Sequence, residues 1–455
     1  MKQMSLRETA LDTLMKIEKQ QTYSNLLLNE MIKKGGMKPV DRPLFTQLVY
    51  GTLQYKKRLD FELEKRSSKP LHKLDLWVLV LLRISLYQLR FLERVPDHAV
   101  LNEAVTIAKS RGHKGISGMV NGVLRSCLRE GPRPFTEAGG NIEQLAVETS
   151  HPEWMIKRWI SQLGFEQTKK LAEANNIPPK TTVRLTHLAP ATGEVLESME
   201  EDGLLVLKSS LRLNTFHIER GSAASAAAFK KGWIAIQDEA SMLAGDVVSP
   251  EDGEKILDSC AAPGGKSLHI ASLAPGAEIT AVDLHPHKVN LIEKAAERQQ
   301  ISNITTLAAD ARKMELEPES FDKILVDAPC SGLGVLRRKP DMKWTKKEED
   351  ITRLAAIQTD ILRHVWPSLK PGGRLIYSTC TIDREENADQ VRTLLQQTVD
   401  AQGEDVTPYL PEQLAPYISE EGMLELYPGT MDMDGFFIAS VKKMPAGGGH
   451  ADALS

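Results

Sequence analysis

Two cysteines carry the reactive chemistry this sequence offers. Cys330 lies in Asp327-Ala328-Pro329-Cys330-Ser331-Gly332 and Cys380 in Ser378-Thr379-Cys380-Thr381, and each follows a short apolar run that reads as a β-strand. A lone cysteine is most often a small buried hydrophobe. Two thiols beyond neighbouring strands of a parallel sheet instead face one crevice, because the carboxyl ends of such strands share an edge. A pair placed there suits disulfide chemistry or a thiolate nucleophile with a helper. No C-x-x-C spacing is present, which weighs against the redox use. Cys127, in a helical stretch, and Cys260, in a turn, are given no reactive role.

The densest pattern is the run from Ile256 to Ser267, ILDSCAAPGGKS. It reads as a strand entering a glycine-rich turn that opens a helix, an arrangement that brings a ligand against backbone amides. A phosphate-cradling P-loop would need glycine where Cys260 stands, and the turn lacks the G-x-G-x-x-G of a nicotinamide site. What remains is a nucleoside-binding turn that need not cradle a polyphosphate, as for S-adenosylmethionine. Gly264-Gly265 alone would be no more than a tight turn. The neighbouring strand ends change that reading. Asp283 ends the next strand candidate, 25 residues after Asp258, where a carboxylate can accept both hydroxyls of a ribose. Asp310 follows the third strand, within reach of an adenine amino group; Asp327 ends the fourth and Cys380 follows the fifth. Polar or reactive groups at five successive strand ends are the pattern of a site rather than of packing.

A thiolate beside such a cofactor has a defined use against a pyrimidine. Carbon 5 of cytosine is a poor nucleophile, but thiolate addition at carbon 6 makes an enamine whose carbon 5 can take a methyl group from sulfonium. Asp327 is placed to hydrogen-bond the base at N3 and its amino group. A base must then remove the carbon 5 proton before the thiolate leaves, and the target base must be unpaired or flipped out.

These groups need a scaffold. From Trp233 onward, apolar runs at Lys255–Asp258, Glu278–Asp283, 304–309, Lys323–Asp327, 373–378 and 435–441 alternate with helical stretches, which predicts an α/β, doubly wound, mostly parallel sheet over residues 226–443. Residues 1–135 read as an all-α bundle: Leu6, Ala10, Leu11, Leu14 and Ile17 recur at helical spacing, and 74–92 is apolar nearly all round. Residues 142–225, with TTVRL and LLVLK as short strands, read as a small α/β subdomain, and 444–455 as a disordered, low-complexity tail.

Composition is consistent with this. The 455 residues are 41% hydrophobic and 26% charged, the balance of a globular protein. The longest apolar run, Leu76–Leu82, falls far short of the ~20 residues that span a bilayer. The N-terminal stretch has no apolar signal-peptide core, and a cytoplasmic protein with free thiols and no metal site is expected. The net charge of −4 hides an asymmetry: residues 1–140 carry 24 basic against 14 acidic side chains, and the remainder 33 against 47. A basic module joined to an acidic one suits a polyanionic partner.

At these motifs the chain resembles the RNA (cytosine-5) methyltransferases of the Nop2/Sun family. The likeness rests on Gln237-Asp238-Glu239-Ala240-Ser241, the turn Cys260–Lys266, Asp283, Asp310, the Pro329-Cys330 and Thr379-Cys380 motifs and Asp434-Gly435-Phe436-Phe437. It implies a Rossmann-like S-adenosylmethionine-dependent domain, with Cys380 as nucleophile and Cys330 assisting release of the methylated base. The cofactor would lie against Cys260, Ala261, Ala262, Pro263, Gly264, Gly265, Lys266, Asp283, Asp310 and Asp327. Cys330 is followed by Ser331-Gly332-Leu333, which favours RNA over DNA. The basic helical module resembles the NusB antitermination fold through Asp41-Arg42, Val49-Tyr50-Gly51-Thr52-Leu53 and Val120-Asn121-Gly122-Val123-Leu124-Arg125. Together the two likenesses imply a monomer acting on 16S rRNA, at cytosine 967, in an unassembled or partly assembled small subunit. A tRNA cytosine-5 methyltransferase and a non-catalytic RNA-binding assembly factor are the alternatives.

Overall fold

Among the described residues, the apolar stripes of the first 130 positions form the α-helices Leu6–Gln20, Ser24–Lys34, Arg42–Gln54, Lys56–Arg66, Leu76–Phe91, Asp97–Arg111 and Lys114–Glu130. The computed structural model describes residues 5–20, 24–34 and 37–445; most of the tail expected at 444–455 lies outside them. Leu76–Phe91 is the central helix, and Val80, Leu81, Leu82, Ile84 and Leu86 bury it among Leu11, Leu14, Phe45, Leu48 and Leu124. Burial of ten of its sixteen residues accounts for the lack of a polar face.

Two compact units divide the described residues, and their borders differ from those read along the chain. One unit runs to Ile177 and takes in Leu336–Lys346; the other holds Pro178–Val335 and everything from Lys347. The helices Asn141–Glu148, Glu153–Leu163 and Phe165–Ala174, expected with the small subdomain, therefore pack in the helical unit. Gln54 donates to Asn175 O and the Lys57 amide to Ser150 Oγ, which ties them to the bundle.

The segment Leu336–Lys346, expected inside the catalytic domain, is held in the helical unit by buried polar contacts. Lys343 is fully buried and its Nζ donates to Gln54 O, Ser150 O and Asn176 Oδ1 at 3.3, 3.3 and 3.0 Å. Trp344 Nε1 donates to Leu53 O at 2.6 Å, and Asp341 accepts from the Ser24 hydroxyl. Burial pushes the Lys343 ammonium well below its usual range, and the three oxygen acceptors around its nitrogen offset part of that cost.

In the second unit, β1 (Thr181–Leu185), β2 (Leu205–Lys208), β3 (Thr215–Arg220) and β4 (Ile234–Ile236) form an antiparallel sheet in the order β2-β3-β1-β4. Its core is Val183, Val195, Met199, Phe216, Ile218 and Ile234. Since β4 pairs with β1, this sheet runs past the border expected at 225.

The larger sheet contains β5 (Lys255–Asp258), β6 (Glu278–Asp283), β7 (Ile304–Ala308), β8 (Phe321–Asp327), β9 (Leu369–Thr379), β10 (Ala401–Glu404) and β12 (Phe436–Lys443), in the order β10-β12-β9-β8-β5-β6-β7. β11 (Leu424–Leu426) pairs with β12 off this path. β5 to β9 are parallel, whereas β12 runs antiparallel to β9. Successive side chains alternate between two cores: Ile256, Leu325 and Ile376 on one face, Leu257, Ile324, Val326 and Leu375 on the other. A sheet buried on both faces reads as the continuous apolar runs seen in the sequence. The chain leaves β5 toward β6 and β7 and returns on its other side as β8 and β9, so the switch point lies between β5 and β8.

Candidate active site

β8 and β9 are adjacent and parallel, with Asp327 opposite Ser378, so the loops after them start side by side. Cys330 and Cys380 meet there with their sulfurs 3.4 Å apart. Both are half-buried and neither forms a disulfide. Their hydrogen bond, then burial, push the Cys330 thiol well above its usual range.

Asp327, last residue of β8, receives Lys266 Nζ at 2.7 Å and Ser378 Oγ at 2.9 Å. Lys266 also stands 5.0 Å from the Phe436 ring centroid. Burial works against charge on Lys266, but the Asp327 carboxylate outweighs it and holds the ammonium above its usual range. The lysine of the turn is thus tied to the carboxylate beside the thiols, as an interaction rather than a solvated helix start.

The turn after β5 is built to stay tight. The Ala261 amide donates to Val282 O of β6 and the Gly264 amide to Ala261 O, both at 2.7 Å. Gly264 has φ +99°, and a Cβ there would stand 3.1 Å from Ile292 Cγ2. Only glycine takes both the backbone and the space. The helix Gly265–Leu273 follows, with Gln237 lying over Gly265. Asp258 faces inward from β5: fully buried, it accepts from Ser267 Oγ at 2.6 Å, and burial pushes it up to about 7. Its part is to brace the turn rather than to meet a ligand. Burial also raises the Cys260 thiol, which suits its lack of a reactive role.

Asp283 ends β6 beside this turn, accepting the His285 amide at 3.0 Å with Lys288 Nζ 3.8 Å away. Asp310 comes two residues after β7, and its two oxygens take the Arg312 guanidinium at 3.0 and 2.7 Å. That pairing holds the Asp310 carboxyl down at about 2. Asp283, Asp327 and the two cysteines thus share the carboxyl edge of the sheet with the turn. Asp310 shares it too, but its carboxylate is already claimed by Arg312, a partner no motif announced.

Sequence reasoning also passed over Glu386. It is fully buried and accepts the Ser331 amide at 2.8 Å and Gln358 Nε2 at 3.1 Å. Nothing in Arg384-Glu385-Glu386-Asn387 separates it from a solvated acidic run. Among the described residues, no group of three or more His, Cys, Asp or Glu is placed to hold a metal ion, and no helix is long and apolar enough to cross a membrane.

A sheet of this order, with antiparallel β12 beside β9 and a glycine turn at its switch point, is that of the S-adenosylmethionine-dependent methyltransferases, joined here to a helical module of the NusB type. Residues 246–442 match the family described as 16S rRNA methyltransferase RsmB/F, residues 4–129 the NusB family, and residues 151–224 the ferredoxin-like domain of RsmF/B-like methyltransferases. The chain is 46% identical to the probable ribosomal RNA small subunit methyltransferase B of Bacillus subtilis (strain 168), over 97% of this chain and 100% of that protein. It is 34% identical to ribosomal RNA small subunit methyltransferase B of Serratia proteamaculans (strain 568), over 89% and 91%. The crystal structure of PH0851 superposes with a TM-score of 0.81 at 25% identity, covering 97% of this chain and 100% of that one. The chain belongs to the ribosomal RNA small subunit methyltransferase B family.

Proposed function

We propose that this protein transfers a methyl group from S-adenosylmethionine to carbon 5 of one cytosine in 16S rRNA, cytosine 967, through a covalent bond between Cys380 and the base. The observation that carries this reading is the 3.4 Å approach of two thiols, not joined in a disulfide, at adjacent strand ends, next to an aspartate already paired with a lysine from the cofactor turn.

The residues present fit the cofactor: Asp283 at the end of β6 suits a ribose diol, and the tight turn that Gly264 permits at φ +99° turns backbone amides of Cys260–Lys266 toward the strand ends, where a nucleoside would lie. Bound there, S-adenosylmethionine supplies an electrophilic methyl on sulfonium. Everything else falls to the chain. Cys330 and Cys380 share a hydrogen bond, and Cys380, once its proton has passed to solvent, is the thiolate that adds to carbon 6 of the base, with the Cys330 thiol beside it. Asp327, held in place by Lys266 and Ser378, accepts from the 4-amino group and stands at N3, which favours the adduct. Carbon 5 then becomes nucleophilic. Its remaining proton passes to solvent as Cys380 is eliminated, and the Cys330 thiol stands beside the departing sulfur to protonate it.

The test is methyl transfer from labelled S-adenosylmethionine to protein-free, unmodified 16S rRNA, with tRNA in parallel and the labelled base identified by mass. Label in 5-methylcytidine of 16S rRNA is the expected result. Label confined to tRNA would keep the chemistry and replace the substrate.

A further inference from the structure

Behind the thiols lies a buried carboxylate that neither cofactor binding nor base recognition uses. Glu386 closes the short helical turn Arg384–Glu386 after β9. One of its oxygens takes the Ser331 amide at 2.8 Å and Gln358 Nε2 at 3.1 Å, and the other the Ser331 hydroxyl. That hydroxyl also stands 2.8 Å from Thr381 Oγ1. Ser331 is the residue after Cys330, and Thr381 the residue after Cys380. One side chain therefore reaches, through one or two hydrogen bonds, the immediate neighbour of each thiol-bearing residue. The backbone closes the same frame: Gly334 N donates to Cys380 O at 3.0 Å, and the Tyr377 hydroxyl donates to Glu386 O at 2.6 Å.

A carboxylate buried against a desolvation cost is kept for what it holds, here the donors of Ser331 and Gln358. Its surroundings are Gln358 from the helix Glu348–Val365, Tyr377 from β9, Asp383 from its own turn, and Ser331 and Cys330 from the loop after β8. Burial and Asp383 raise its pKa, while donors facing both oxygens favour the ionised form. Its negative charge joins that of Cys380 and Asp327 in opposing ionisation of Cys330.

Building on the methyl-transfer reading, we infer that Glu386 is a positioning residue for the release step: by holding Ser331 and Thr381 it keeps Cys330 against Cys380 and in its thiol form. Glu386→Gln preserves shape and removes the charge. Two measurements read it. The first follows iodoacetamide alkylation of Cys330 against pH on the RNA-free protein in a Cys380→Ala background, by peptide mass. Removing the charge should lower the midpoint by about one pH unit, or make alkylation about tenfold faster at a fixed pH below it. The second follows turnover with 16S rRNA: Glu386→Gln should accumulate a denaturant-stable protein–RNA adduct and lose about tenfold or more in kcat, with KM for RNA unchanged. Ser331→Ala, which keeps the backbone bond to Glu386, should show the same changes at smaller size and carries both measurements if Glu386→Gln does not melt cooperatively. Wild-type alkylation profiles and no adduct in these variants, while Cys330→Ala does trap RNA, would overturn the positioning role. Absence of an adduct even with Cys330→Ala would instead remove the methyl-transfer reading, with the alkylation profile still deciding whether Glu386 governs the thiol.

Discussion

At the scale of single residues, the two cysteines are chemically unequal although they touch. Cys330 has its ionisation opposed by Cys380, burial, Glu386 and Asp327 together, and the proposed mechanism gives the attack to its partner. The consequences of removing each are therefore different in kind. Cys380→Ala should abolish methyl transfer, with cofactor binding measured by calorimetry retained. Cys330→Ala should leave attack possible and stall release, so that a covalent protein–RNA complex survives denaturing electrophoresis. The adduct forming with Cys380→Ala and not with Cys330→Ala would reverse the assignment.

At the scale of elements, the turn between β5 and the helix Gly265–Leu273 depends on a left-handed glycine and on burial. Gly264→Ala would place a methyl 3.1 Å from Ile292 at φ +99°. The backbone cost is about 1–2 kcal/mol. A lower melting temperature and weaker S-adenosylmethionine binding are expected together; loss of neither would mean that the turn adapts freely. Asp258, below the same turn, sets a pH dependence. Its carboxyl titrates at about 7 in the folded chain, against about 4 for an unfolded aspartate. Between those values the folded state holds a proton that the unfolded state has lost. This contribution to stability is therefore full below about pH 4 and falls away as pH rises through 7. Asp258→Asn keeps an oxygen for Ser267 and has no proton to lose. Melting curves at pH 5 and pH 8 should show a smaller decline for the variant than for the wild type, and equal declines would contradict the placement of this charge.

At the scale of the whole molecule, charge is divided unevenly along the chain, and the basic first 140 residues suit an RNA backbone. If their role is to neutralise a few phosphates, affinity of the full chain for 16S rRNA should fall tenfold or more between about 50 and 200 mM salt. Filter binding across that range, with charge-reversing substitutions at exposed Lys109 and Arg125, should reduce both affinity and its salt slope. Flat affinity would reduce the helical module to a scaffold.

Much of this protein was written locally. Apolar runs of four to seven residues ending in Asp258, Asp283 and Asp327 determine strands and their terminal groups, because side-chain alternation and turn chemistry act between near neighbours. From strand–helix alternation alone it followed that Cys330 and Cys380 open onto one edge. What the chain could not disclose is which distant groups share a hydrogen bond. Ile234–Ile236 is too short to announce itself as a strand and exists through its pairing with β1. The polar run Arg337-Arg338-Lys339-Pro340-Asp341-Met342-Lys343 carries no local signal of burial, yet Lys343 is buried in the helical unit, where three acceptors from separate segments converge. Arg312 on Asp310, and Glu386 behind the thiols, are decided the same way. Local pattern determines what each element is; the packing of elements decides which charges and donors meet, because burial forces every polar group to find a partner wherever the fold supplies one.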